Sequence, residues 1–120
     1  DKALKIVAKK IACEVRDYTV APIFMKGKEK GAHEWLIEFK KPPKDLCYFI
    51  ELLDNALKAL NSDYEAKRYN NTTLNIPKVR VARAGLFHDW LKTKNKLGGQ
   101  HKIPRLSNSR LFIEALLRRS

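Results

Sequence analysis

The stretch LGGQHKIPR, residues 97–105, gathers two glycines, a histidine, a lysine and an arginine into nine positions. These residue types are suited to holding phosphate. Gly98 and Gly99 permit φ > 0 and let a ligand approach the backbone closely. Lys102 is a compact charge on a long stem, fit for a phosphate oxygen. Arg105 adds a planar fork that can bind phosphate or clamp a carboxylate, and Pro104 stiffens the chain between the two. The pattern is not a Walker A loop: the G-x-x-x-x-G-K-[ST] spacing is missing and no strand directly precedes it. The same glycines also read as a Gly-Gly C-cap ending the helix before them. Local physics alone favours the cap, and the two readings are compatible.

Other chemistry is sparse. His33, His88 and His101 lie far apart with no paired carboxylate–histidine spacing, so no metal site is expected. His88, beside Phe87 and Trp90, reads as a packed or surface histidine. No G-x-S-x-G occurs, and neither Cys13 nor Cys47 has an activating setting. Both cysteines fall on apolar stripes of predicted helices, where Cys acts as a small hydrophobe. Asp63 and Glu65 serve a helix start, and Glu34 and Glu38 line the outer face of a strand. Arg80 and Arg83 with Lys92, Lys94 and Lys96 could form a phosphate-contacting patch, which keeps an autonomous nucleic-acid-binding module open as an alternative. Against it, no helix-turn-helix, zinc-finger or RNP signature occurs, and the aromatics take core positions instead of interleaving with the basic residues.

The bulk properties set the frame for these residues. A chain of 120 residues suits one domain, and 44% hydrophobic residues support a packed core. Apolar runs are too short for a membrane-spanning helix. The opening DKALKIVAKKIACEV is amphipathic and not signal-like, and the absent initiating Met points to a fragment of a longer protein. With 25 basic against 13 acidic residues, the net charge of +12 favours an anionic partner or a solvated basic surface. Two cysteines without C-x-x-C spacing fit a reducing, cytoplasmic setting.

Periodicity places the elements. Leu4, Val7, Ala8, Ile11, Ala12 and Val15 form one helical face. RDYTVAPIFMK reads as a strand with Pro22 marking an edge or bulge, and HEWLIEFK alternates Trp35, Ile37 and Phe39 against Glu34, Glu38 and Lys40. The two form a hairpin. Asp45 is the predicted N-cap of a helix to about Asn61, striped by Leu46, Phe49, Ile50, Leu53, Ala56, Leu57 and Leu60. Ser62 and Glu65 have capping-box spacing for a second, short helix. KVRVAR is a third strand with Val79 and Val81 inward. LFHDWLKTKNK is a short helix presenting Phe87, Trp90 and Leu91. Ser107 or Asn108 caps a last helix with Leu111, Phe112, Ala115 and Leu116 inward. The expected class is α+β: a small mixed sheet of three to four strands flanked by about five helices. A right-handed crossover sets the third strand parallel to the second, with the first strand a candidate to lie between them.

Three blocks, GAHEWLIEF, LDNALKALNSDYEAKR and AGLFHDWLKTKNKLGGQHKIPRLSNSR, resemble in order the C-terminal domain of the auxin-responsive promoter family, the Gretchen Hagen three group of acyl-acid amido synthetases. The likeness covers essentially the whole chain and looks closest to bacterial members. It implies a lid-type C-terminal domain, residues 1–120, of a larger adenylate-forming enzyme. A large N-terminal domain would bind ATP, with Mg2+, and a carboxylic acid to make an acyl-adenylate. An amine or amino acid would then displace AMP to form an amide. The resemblance carries the phosphate-contacting lysine onto Lys102 and gives Gly98, Gly99, Gln100 and Arg105 supporting roles. His101 receives no role. The domain alone is expected to be inactive, with the 97–105 loop exposed.

Overall fold

The structure, a computed structural model, describes residues 2–24, 30–69, 74–95 and 109–119. In chain order these form α1 (Lys2–Ile11), β1 (Glu14–Ile23), β2 (Ala32–Lys41), α2 (Leu46–Leu60), α3 (Ser62–Arg68), β3 (Lys78–Val81), α4 (Leu86–Asn95) and α5 (Leu111–Leu117). The expected α+β class is the observed one. The strand order is β1-β2-β3, with β1 and β2 antiparallel and β2 and β3 parallel. The third strand thus runs parallel to the second, but β2 is central and the first strand does not lie between them. Pro22 sits on the edge strand β1, opposite His33, the kind of position where a residue without a backbone N–H is tolerated.

Both faces of the sheet are covered. Tyr18 and Val20 of β1 stand opposite Ile37 and Trp35 of β2 and pack with Leu4 and Val7 of α1 and Phe49 and Leu53 of α2. On the other face, Ala21 and Leu36 pack with Leu86, Phe87 and Trp90 of α4 and Ile113 and Leu116 of α5. The strand period of two assigns odd and even residues of β2 to separate cores. Burial therefore runs through β2 without alternation, and only its C-terminal residues are exposed.

Helix ends show where local signals held. Asp45 caps α2, its carboxylate accepting from the Tyr48 N–H at 3.2 Å. Asn61, not Ser62, caps α3: its side-chain oxygen accepts from the Tyr64 N–H at 3.1 Å. One residue thus closes α2 and opens α3. The α1 helix stops at Ile11, short of the predicted face through Val15. Ala12 takes a left-handed φ of 54°, and the Cys13 N–H donates to the Ala8 carbonyl at 3.2 Å, a Schellman-type end without glycine. Cys13 is therefore buried beyond the helix, where burial pushes its thiol pKa up, and Cys47 is exposed on α2 instead of lying on its apolar stripe. Val81 is exposed at the end of β3, and only Val79 packs inward. In α5, Ile113 and Leu116 are the buried residues and Leu111 faces out. Ser107 and Asn108 lie outside the described residues; Arg110 occupies the cap position, without a side-chain cap bond.

Candidate functional site

The predicted site residues Gly98, Gly99, Gln100, Lys102 and Arg105, and with them His101, lie outside the described residues. The chain reaches them from α4 and returns at Ser109 and Arg110, so the described part of the site is the pair of helices on either side and whatever holds those helices in place.

Two glutamates of β2 do much of the holding. Glu34 and Glu38 were expected on a solvated outer face, yet each is only 2% exposed. Both project from the face that α4 and α5 cover. A buried carboxylate needs partners for its lone pairs, and each has found them. The carboxylate of Glu38 meets the start of α4: Oε2 accepts from the Gly85 N–H at 3.2 Å and Oε1 from the Phe87 N–H at 3.4 Å. These N–H groups have no partner within the helix, and a negative charge there also complements the helix dipole. Arg16 adds a contact at 3.3 Å from the bulged stretch of β1.

Glu34 is held between two guanidinium groups. Arg80 of β3 donates to Oε2, and Arg110 donates from Nη2 to Oε1 at 2.7 Å. Burial by itself would raise the carboxyl pKa, but hydrogen bonds from Arg110 and Arg80 outweigh it and hold the group below its ordinary range. Arg110 also donates from Nη1 to the Pro22 carbonyl at 3.0 Å and from Nε to Glu114 at 2.8 Å. Arg83 links the first turn of α4 to the far end of α5, donating to Asp89 of α4 at 3.0 Å and to the Arg119 carbonyl beyond α5 at 3.4 Å.

Two members of the predicted basic patch are therefore engaged within the fold: Arg80 with Glu34, and Arg83 with Asp89. Lys92 is exposed, the Lys94 side chain and Lys96 lie outside the described residues, and the aromatic side chains Phe87 and Trp90 of α4 are buried in the core. His88 is exposed, as the surface reading of it allowed. Among the described residues no group of three or more His, Cys, Asp or Glu side chains is placed to hold a metal ion, and no helix is long and apolar enough to cross a membrane.

Sequence reasoning missed Glu34, Glu38 and Arg110. A partial signal for the two glutamates was present, and none for Arg110. The apolar sides of α4 and α5 needed a sheet face to cover, α1 and α2 already occupied one, and Leu36 between the two glutamates marked the other.

A second polar cluster lies on the opposite side of the sheet. Asp54 of α2 accepts from the Tyr64 hydroxyl at 2.6 Å and from Arg68 at 2.8 Å on each oxygen, and Lys58 approaches to 3.3 Å. Arg68 also donates to the Leu74 carbonyl at 3.1 Å, fastening the chain ahead of β3. This cluster ties α2, α3 and the following segment together and stands apart from the helices around residues 96–108.

The comparisons with known proteins follow this architecture. The chain matches a model described as the GH3 family C-terminal domain over residues 1–111. Comparison with curated protein sequences gives no match. The fold is similar to that of a solved structure titled "AtGH3.15 acyl acid amido synthetase in complex with 2,4-DB", with a TM-score of 0.73 and 16% identity, covering 98% of this chain and 22% of that one. It is also similar to one titled "GH3.15 acyl acid amido synthetase", with a TM-score of 0.72 and 17% identity, covering 98% and 21%. The chain thus spans about a fifth of the length of these relatives. The family match covers nearly the whole sequence, including both buried glutamates, Lys102 and Arg110, and places the chain in the Gretchen Hagen three (GH3) family, as its C-terminal domain.

Proposed function

We propose that residues 1–120 are the mobile C-terminal domain of an ATP-dependent acyl-acid amido synthetase of bacterial type, working in the cytoplasm with its own N-terminal domain and supplying Lys102 to a phosphate group. The observation that carries this reading is the family match over residues 1–111, a span that includes the 97–105 segment.

In the proposed reaction a substrate carboxylate attacks the α-phosphorus of ATP, and pyrophosphate leaves. An amine, such as an amino acid, then attacks the acyl carbonyl, and AMP leaves. Negative charge gathers around phosphorus in the first step, and a cation aimed there stabilises the transition state more than the ground state. Lys102 has the chemistry for this, as a strongly hydrated point charge that regains value when water is excluded. Carrying it on a domain that closes after substrates bind assembles the site only when needed. The net charge of +12 favours docking of the domain against bound nucleotide. In this reading Mg2+ accompanies ATP and is held mainly by the N-terminal domain, through one or two carboxylates and the phosphate oxygens.

The test is pyrophosphate exchange by the full-length enzyme, with ATP and a pool of benzoate, phenylacetate and octanoate as carboxylate probes. Lys102→Ala is expected to slow exchange by about 10²–10³ with folding intact, and Lys102→Arg to restore little, because a planar fork does not replace a point charge. An unchanged rate in Lys102→Ala would overturn the role given to Lys102. The nucleic-acid module is not favoured, since Arg80 and Arg83 are engaged in ion pairs within the fold.

A further inference from the structure

We propose that the lysine face of α1 is a docking surface for an acidic patch on the N-terminal domain of the same enzyme. This inference rests on the ligase reading above, in which a larger domain is joined to this one.

Helix α1 has two unlike faces. Ala3, Leu4 and Val7 are buried in the first core, while Lys2, Lys5, Lys9 and Lys10 are exposed, with Ile6 at 39% exposure the one apolar residue among them. Lys2, Lys5 and Lys9 follow at i, i+3 and i+7 and form one stripe along the helix. The helix contains no acidic residue. Among the described residues no lysine of α1 takes part in an ion pair. Lys40 and Lys41 are exposed at the end of β2, and Lys41 stands opposite Glu14, where β1 begins just past α1. Arginines are used differently: Arg16, Arg68, Arg80, Arg83 and Arg110 each meet a carboxylate within the fold.

Such a face works against the helix that carries it. Lys2 and Lys5 put positive charge on the first turn, where the helix dipole is already positive. Lys5 and Lys9 are a like-charged i,i+4 pair. Solubility needs charge, and interspersed signs would supply it without these costs. A run of one sign that its own helix resists is accounted for by an opposite charge outside the domain.

The chemistry of the face selects the partner. Phosphate-rich partners are matched best by planar arginine forks, and this face holds none. A helix that lies on a membrane sinks its apolar stripe into the lipid, but α1 already buries that stripe in the core. Carboxylates on a protein surface suit compact lysine charges. Exposed lysine–carboxylate pairs are individually weak and screened by salt. A row of them steers a domain into register and lets it go again, as closing and opening in each turnover require. In the ligase reading the larger domain precedes Lys2, so α1 is the element that follows it most closely. The chain spans about a fifth of the length of its solved relatives, which leaves ample surface for an acidic patch.

The test is carbodiimide cross-linking of the full-length enzyme, which joins a lysine amine directly to a touching carboxylate. Cross-links from Lys2, Lys5 and Lys9 to carboxylates of the N-terminal domain are expected at low salt. They should fall on the order of 10-fold between about 0.02 M and about 0.5 M salt. Lys78, exposed on β3, serves as the reference and should give far fewer. Lys5→Glu separates docking from folding. It supplies an acid in the first turn, four residues before Lys9, and so should raise the melting temperature slightly. At the same time it should cut the cross-links of Lys2 and Lys9 by about 3- to 10-fold, through one attraction lost and one repulsion gained. Cross-links from α1 no more frequent than those from Lys78, insensitive to salt, or unchanged by Lys5→Glu would overturn the docking face. So would binding of the unmutated protein to phosphatidylserine vesicles or to a duplex oligonucleotide that Lys5→Glu abolishes, since the lysines would then serve another anion. Pyrophosphate exchange with the same three carboxylates is read alongside. Normal exchange without the cross-links removes the docking face and leaves the ligase reading intact. The cross-links without any exchange support the docking of the two domains and remove the ligase reading.

Discussion

Arg68 holds Asp54 with both arms, Nε lying 2.8 Å from Oδ1 and Nη2 2.8 Å from Oδ2, with both side chains nearly excluded from solvent. Planar fork meets planar carboxylate, which is the strongest geometry available to such a pair. The Tyr64 hydroxyl adds a third bond to Oδ1, and this burial beside a carboxylate raises the tyrosine pKa well above its ordinary value.

Breaking this pair from one side should be costly. Asp54→Ala strands a buried guanidinium and the Tyr64 hydroxyl, with an expected loss of about 3–5 kcal/mol in urea unfolding. Replacing all three members, as Asp54→Leu with Arg68→Met and Tyr64→Phe, should recover most of that loss. A single-variant cost below about 1 kcal/mol would show that water reaches the site.

Stability should fall on acidification in two separate windows. Half-buried His33 stacks on Tyr64 at 5.9 Å, and burial, aided by the nearby Lys67 charge, lowers its pKa below 6.5. The unfolded chain then binds that proton more readily, so the stability contributed is complete above about 6.5 and declines as pH falls through the folded value. Asp54 and Glu34 act lower down. Burial would raise both, but their guanidinium hydrogen bonds prevail and depress them below 3.8 and 4.5 respectively. Their contributions are present above those unfolded values and are lost as pH drops through the folded ones. Unfolding free energies measured from about pH 8 to about pH 3 should show both declines. His33→Gln should flatten the upper one alone; if the upper slope survives that change, another group is responsible for it.

Two backbone positions invite opposite substitutions. Gly85, just before α4, has φ +84°, and a methyl there would meet nothing nearer than the Arg83 guanidinium at 4.0 Å. Space is ample, so the cost of Gly85→Ala is conformational, about 1–2 kcal/mol. Ala12 is exposed at φ 54° and carries that strain already. Ala12→Gly should relieve about 1–2 kcal/mol and return about 0.4–1 kcal/mol through the looser unfolded chain, for a modest net gain in melting temperature. Equal signs for the two changes would refute the account.

The parts of this fold that could be read in advance are those whose cause is local. The hairpin, the long α2 with Asp45 at its cap, the short β3 and the Phe87–Trp90 face of α4 each follow from a period or a capping side chain within a few residues. Misreadings at the helix ends were also local: Asn61 outcompeted Ser62 because it sat one residue earlier, where its oxygen could reach the Tyr64 N–H. Among the candidate site residues, Lys102 was reached only through family likeness, since two glycines and a lysine fit a helix cap as well as a phosphate.

By itself, the sequence determined the α+β class, the two-faced alternation of β2 and the family. A period of two tells which residues share a face but not whether a second layer covers it. Tertiary structure alone decided that Glu34 and Glu38 lie inside, because α4 and α5 close over them. It also decided that a carboxylate on β2 would meet Arg110, 76 residues later. No local pattern encodes a contact at that separation; it exists because burying a charge demands a partner, and the folded chain brings one.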